Sequence, residues 1–273
     1  METSEIYHNA SEELERRLRL KTYPLAVKML EREEDIPEGV IRPKRDLGYH
    51  LATCQAFATA RREGTAMALL KEDMWCSESV IGLGLAEPPQ YFLDGYTRVP
   101  DGNASLEAGK TWARAFPRFE SGRYVGIMSS PLTSANFEPD VVIFYCDSMQ
   151  LKVLLSAAAW KTGQELTCTV SDKGACVYAV VPVIQHRRCQ VSVPCRGDRR
   201  FASCQDNEMI FASPYAKVEE LLIALRHMSD YGYQLPMGNI MMPEYELRES
   251  YFKVGKMMGM DIDRGKKTTL KWV

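Results

Sequence analysis

The sequence predicts an α+β (or mixed α/β) fold, a single compact domain built on a mixed sheet, with two similar βα halves as one arrangement inside it. Three observations carry this expectation. Strand-like apolar runs and amphipathic helical stretches are interleaved without the strict alternation of a doubly wound fold. The chain's 273 residues are ample for a buried core. Finally, VVIFYCDSMQLKVLLSAAAW, from Val141, is echoed by EMIFASPYAKVEELLIALRHM, from Glu208. Phe144 aligns with Phe211, Leu151 with Val218, Leu154 with Leu221 and Leu155 with Leu222, at a constant offset of 67. True duplication and the shared physics of two βα units account for the echo equally well.

The elements follow in order. Ile6, Leu14 and Leu18 form an apolar stripe that predicts a helix over 4–20, broken at Tyr23-Pro24. Leu25–Leu30 reads as a buried strand and 31–46 as a charged, Pro-containing loop. The Ala-rich run 50–62 predicts a helix, 66–70 a strand, and 77–85 a short helix ended by Glu87-Pro88-Pro89. A helix over 105–116 enters from the Asp101-Gly102-Asn103 turn. Strands at 124–128 and 141–145 precede a helix at 149–161. The β-branched runs 167–170 and 175–183 flank Ser171-Asp172-Lys173-Gly174, which predicts a hairpin. Further strands are expected at 189–193 and 209–212, then an amphipathic helix at 218–228. Residues 1–255 make the single domain in this reading, and 256–273 a Met- and Lys-rich tail.

Composition removes several function classes. The 34 Lys and Arg against 36 Asp and Glu give a net charge of −2, so no dedicated nucleic-acid binder is expected. No stretch reaches the roughly 20 apolar residues of a membrane span, and the charged N-terminus lacks a secretory h-region. A cytoplasmic setting follows as the expectation, with reduced thiols and a homodimer as the default assembly.

The eight cysteines contain no C-x-x-C pair, so zinc-ribbon, finger and ferredoxin patterns are unmatched. Three stand in special settings. Cys76 immediately precedes a predicted helix, where free N–H groups favour a thiolate. Cys195 opens the Arg-rich turn Pro194-Cys195-Arg196-Gly197-Asp198-Arg199-Arg200, and Cys54 lies early in the Ala-rich helix, with His50 at i−4. Cys146, Cys168 and Cys176 read instead as small buried hydrophobes. Gly82-Leu83-Gly84 lacks the third glycine and the strand-before-helix order of a dinucleotide site.

The runs YPLAVKML, TCQAFATARREG, WCSESVIGLGL and VPCRGDRRFASCQDNEMIFASP, with PDVVIFYCDSMQLKVLLSAA between them, resemble domain-of-unknown-function family 169 of bacteria and archaea. The most specific pieces are Cys-Gln at Cys54, Cys-x-x-x-x-x-Gly at Cys76 and Cys-x-Gly-x-Arg at Cys195. The resemblance thus picks out the same three cysteines, and leaves Cys189 and Cys204 outside its pattern.

The leading functional expectation is an iron–sulfur protein, a 4Fe-4S cluster held by Cys54, Cys76 and Cys195 with Arg196, Gly197 and Arg199 in support. The three sulfurs should then lie within roughly 7 Å of one another. Cys204, Cys189 or His50 could complete the ligand set, or one iron could stay open to a small molecule or serve a redox partner protein. The alternative is a metal-free pocket for an anionic small molecule, lined by Tyr91, Phe92, Tyr96, Trp112 and Phe116 and charged by Arg196, Arg199 and Arg200. A cysteine-nucleophile enzyme ranks third, because His8, His50, His186 and His227 have no motif context for a base.

Overall fold

A computed structural model of the chain describes residues 3–230 and 249–261. The elements run α1 (Thr3–Leu18), β1 (Leu25–Leu30), α2 (Thr53–Glu63), β2 (Met67–Leu70), α3 (Ser77–Gly82), α4 (Gln90–Leu93) and α5 (Leu106–Ala115). They continue β3 (Gly126–Pro131), β4 (Val141–Cys146), α6 (Ser148–Ala159), α7 (Ala175–His186), β5 (Gln190–Ser192), α8 (Arg196–Phe201), β6 (Met209–Pro214), α9 (Val218–Asp230) and α10 (Glu249–Met257). The fold is α+β, as the interleaved patterns imply.

The strands form one sheet of order β2-β3-β1-β4-β6-β5. Helices cover both faces, which is why its strands read as unbroken apolar runs rather than alternating ones. Side chains still divide by the period of two. Leu25, Val27, Met29, Val141, Ile143 and Tyr145 join a core with α2, α3, α5 and α7. Ala26, Leu30, Val142, Phe144 and Cys146 join a second core with α1, α6 and α9.

The repeated βα units are neighbours. β4 pairs antiparallel with β6, and the aligned residues Phe144 and Phe211 stand directly opposite each other. Their rings lie 6.0 Å apart, and α6 packs on α9 above them. Leu25 of β1 faces Ile143, while Ser192 of β5 faces Ile210, the residue aligned with Ile143. A local two-fold axis between Phe144 and Phe211 therefore relates β1-β4-α6 to β5-β6-α9.

Two finer expectations are corrected. The named strands pair antiparallel throughout, and parallel pairing is limited to the isolated bridges Ile41↔Met67 and Leu51↔Met74. The hairpin over 167–183 is absent, and Ala175–His186 is the helix α7. Its sequence, ACVYAVVPVIQH, is buried on almost every side and so shows no amphipathic period. The β-branched run and Pro182 add to its strand-like look. The chain divides into units at 1–235 and 236–273, and α10 runs across the boundary expected at 255. Residues 262–273, most of the expected tail, lie outside the described residues.

Candidate functional site

Four helices begin around one cavity. Cys54 is the second residue of α2, Cys76 caps α3, Cys176 is the second residue of α7, and Cys195 caps α8. All four line a single pocket of about 450 Å³. The first turn of a helix leaves N–H groups unpaired and carries the positive end of its dipole, but at Cys54 and Cys176 burial outweighs this and raises the thiol pKa. The other four cysteines lie elsewhere: Cys146 and Cys189 in the opposite core, Cys204 against Glu208, and Cys168 accepting the Val191 N–H at 3.2 Å.

Local interactions fix the helix starts. Gln55 Oε1 accepts the Ala52 N–H at 2.8 Å and the Trp75 Nε1–H at 2.9 Å, tying the start of α2 to the segment that leads into Cys76. Gly174 caps α7 at φ 73, and a Cβ there would sit 2.7 Å from the Phe116 ring. Only glycine satisfies both the backbone and the space. Asp198 closes the start of α8, accepting the Cys195 N–H at 3.0 Å and its Sγ–H at 2.9 Å. Its other oxygen accepts the Tyr145 hydroxyl at 3.4 Å, and Arg61, paired with Glu208, lies 3.8 Å from the centre of the Tyr145 ring.

Gly197 brings two of the predicted residues together. A Cβ on it would lie 3.4 Å from Cys195 Sγ and 4.0 Å from Cys54 Sγ, so the two sulfurs face the same small space. Cys76 Sγ is 3.7 Å from Glu78 Oε2, and Cys176 Sγ is 3.4 Å from Ser79 Oγ. Burial raises the pKa of every pocket thiol, that of Cys195 to about 11 with Asp198 adding to the rise. The thiols are therefore protonated at neutral pH, and a bound metal would have to displace their protons. Burial works to raise the Glu78 carboxyl, but the Lys173 ammonium at 2.6 Å outweighs it and holds the group below its ordinary value.

The predicted supporting residues divide. Arg196 and Gly197 line the pocket, as does Arg200. Arg199 turns away, donating to Gln205 O at 2.9 Å and pairing with Asp206. His50 is exposed and outside the pocket, because α2 starts at Thr53 and leaves it short of the helix. Neither Cys189 nor Cys204 lines the cavity; Cys176 does, and the sequence reading missed it along with α7. The aromatic set of the alternative reading also lies outside the lining. Phe92, Trp112 and Phe116 pack with Tyr178 as core, and Tyr91 and Tyr96 stack on each other at 4.9 Å. Trp112 nevertheless supports the pocket from behind, with Arg98 4.8 Å and Lys173 5.9 Å from its ring centre.

The donor chemistry and the spacing point in different directions for different metals. Four thiols are soft ligands suited to iron–sulfur or zinc sites. Among the described residues, however, no three His, Cys, Asp or Glu converge tightly enough to hold a single metal ion.

Residues 13–223 match the family DUF169, described as an uncharacterised ArCR family. A curated relative, the "Uncharacterized protein MJ0308" of Methanocaldococcus jannaschii, is 26% identical over 230 residues, covering 83% of this chain and 96% of its own. No solved structure matches. Among the described residues, no helix is long and apolar enough to cross a membrane. With the family match spanning most of the chain, including Cys54, Cys76, Cys176 and Cys195, this protein belongs to DUF169.

Proposed function

We propose that the pocket binds an iron–sulfur cluster through Cys54, Cys76 and Cys195, with Cys176 as a further thiol in the same cavity. The observation that supports this reading most is the convergence of four cysteines, distant in sequence, at the starts of four helices around one pocket. The surrounding charges favour it as well. Arg98 and Lys173 on the wall are paired with Asp172 and Glu78, which leaves Arg196 and Arg200 as the cations without an ionic partner among the described residues that would offset part of the negative charge of a thiolate-bound cluster. When bound, such a cluster supplies one-electron transfer, or a Lewis-acidic iron where a ligand position stays open.

The chain's own residues have defined parts. Asp198 holds Cys195 by its N–H and its thiol, so that residue is oriented toward Gly197 before any metal arrives. The lack of a side chain on Gly197 leaves the space between Cys195 and Cys54 open. Glu78 and Lys173 form an ion pair beside Cys76. The reading carries with it a cytoplasmic setting, a small-molecule ligand or redox partner protein, and a homodimer as the default assembly.

The test is anaerobic purification followed by iron and sulfide assay with absorption spectra, wild type against Cys76→Ala. The proposal expects brown wild-type protein with matched iron and sulfide, and bleached Cys76→Ala protein of normal helical content. Wild-type protein that stays colourless after reconstitution contradicts it.

A further inference from the structure

The mouth of the pocket has features that a cluster alone does not use. Most of the charged groups on its wall are committed. Arg98 donates to Asp172 at 3.0 Å and to Asn103 at 2.9 Å, and Lys173 pairs with Glu78 and donates to Thr97 O. Arg196 is different. It is exposed on the rim and makes no hydrogen bond or ion pair among the described residues. Arg200 follows at i+4, on the same side of α8, and its guanidinium lies 5.4 Å from the centre of the Phe201 ring. Of the acids on the wall, Asp101 has no partner among the described residues, and the buried Asp198 is hydrogen-bonded only to the neutral Cys195 and Tyr145. Arg196 and Arg200 are thus the two cations there without an ionic partner among the described residues, and they sit toward the exposed side.

The rim is also aromatic. Trp75 and Phe201 meet edge to face at 5.3 Å, and each keeps nearly half its surface exposed, 48% and 46%. Exposed large aromatics leave apolar surface in water, which a planar ligand would cover. One more group on the wall lacks a partner: the Thr97 hydroxyl is buried and makes no hydrogen bond. The cavity's size, about 450 Å³, lies within the roughly 300–1,000 Å³ of small-molecule sites.

We infer that the pocket mouth is a binding subsite for a planar organic anion. Its oxyanion group, carboxylate or phosphate, pairs with Arg196 and Arg200, and its planar body lies against Trp75 and Phe201. Guanidinium recognises both oxyanions by paired N–H donors. The inference rests on the cluster proposal for what the ligand meets inside the cavity, but the subsite itself consists of the chain's own side chains.

The probes are 2-naphthoate, 2-naphthyl phosphate and the neutral 2-naphthamide, titrated calorimetrically into metal-free and reconstituted full-length protein. At least one of the two anions should bind at least tenfold tighter than the amide, and the better one identifies the oxyanion. The Arg196→Gln/Arg200→Gln double variant should lose that margin, whereas Arg196→Lys should keep part of it. Phe201→Ala should weaken the amide and the anions alike. Iron and sulfide content, measured on the same samples, separates the two proposals: a wild type without iron defeats the cluster and leaves the metal-free titration to judge the subsite. Anions that bind no better than the amide, or a margin that survives in the double variant, would overturn the inference.

Discussion

The two faces of the sheet are built from the same strands, yet they do different work. On the face of α1, α6 and α9, Phe144, Phe211, Leu14 and Leu18 form an apolar core whose charged contacts lie at its edge. The opposite face holds an equally apolar centre. At the starts of α2, α3, α7 and α8, however, it gives way to thiols, partly exposed ion pairs and a cavity. The cysteines follow the contrast in part: Cys146 and Cys189 are small hydrophobes in the first core, the four pocket cysteines sit at helix starts, and Cys204 lies in the pocket-face core outside the cavity lining. What separates the pocket sulfurs from the others is position on the backbone rather than burial, since Cys146 and Cys176 are both nearly inaccessible, at 1% and 5%.

Substitutions can break this contrast, beginning with the largest expected effect. Phe144→Ala removes a fully buried ring at the two-fold axis and should cost about 3–5 kcal/mol in urea unfolding. Its folded fraction should keep wild-type metal and ligand binding. On the pocket face, Glu208→Ala leaves the Arg61 guanidinium, 1% exposed, without its buried partner. A loss of about 3 kcal/mol is expected, together with a looser Tyr145–Asp198–Cys195 chain. Unfolding that matches wild type in the Glu208 variant would show that this pair contributes no more than a surface one.

Smaller effects sharpen the contrast. Glu13 joins α1 to α9 through Arg226, whose hydrogen bond lowers the Glu13 carboxyl from 4.5 to about 2. The sign follows: its stabilisation is complete above about pH 4.5 and is lost as pH falls through about 2. Glu13→Gln should therefore cost about 1 kcal/mol at pH 7, discounted for the half-exposed Arg226, and nothing below pH 2. Gly197→Ala reverses the usual link between stability and function. The glycine lies in α8 without a positive φ, and a Cβ would make only ordinary contacts at 3.4 and 4.0 Å. The change should be neutral or stabilising by up to about 1 kcal/mol, yet it fills the space between two sulfurs and should lower iron content.

Much of the fold was legible because its signals are local. β1 and β4 declare themselves by short, continuous apolar runs, and α9 by its apolar stripe. Cys76 and Cys195 could be found because a cap position is visible in a few neighbouring residues. Other parts depended on tertiary context. Burial on nearly all sides erased the period of α7, so the hairpin reading displaced Cys176 from the site. The start of α2 at Thr53 instead of His50 removed the histidine from the cysteine's face. Phe92, Trp112 and Phe116 look alike in sequence whether they line a cavity or back one, and here they back it. Arg199 and Arg200 differ by one position, which on a helix turns them to different sides.

The most direct test of the central claim is iron and sulfide content across single Cys→Ala variants of all eight cysteines, each reconstituted anaerobically and normalised to folded protein. The account predicts that loss of Cys54, Cys76 or Cys195 strips the iron, and that loss of Cys176 lowers it. Loss of Cys146, Cys168, Cys189 or Cys204 should leave it at the wild-type level. Iron absent from the wild type, or lost equally from both sets of cysteines, would contradict the assignment of a cluster to the cysteines at the four helix starts.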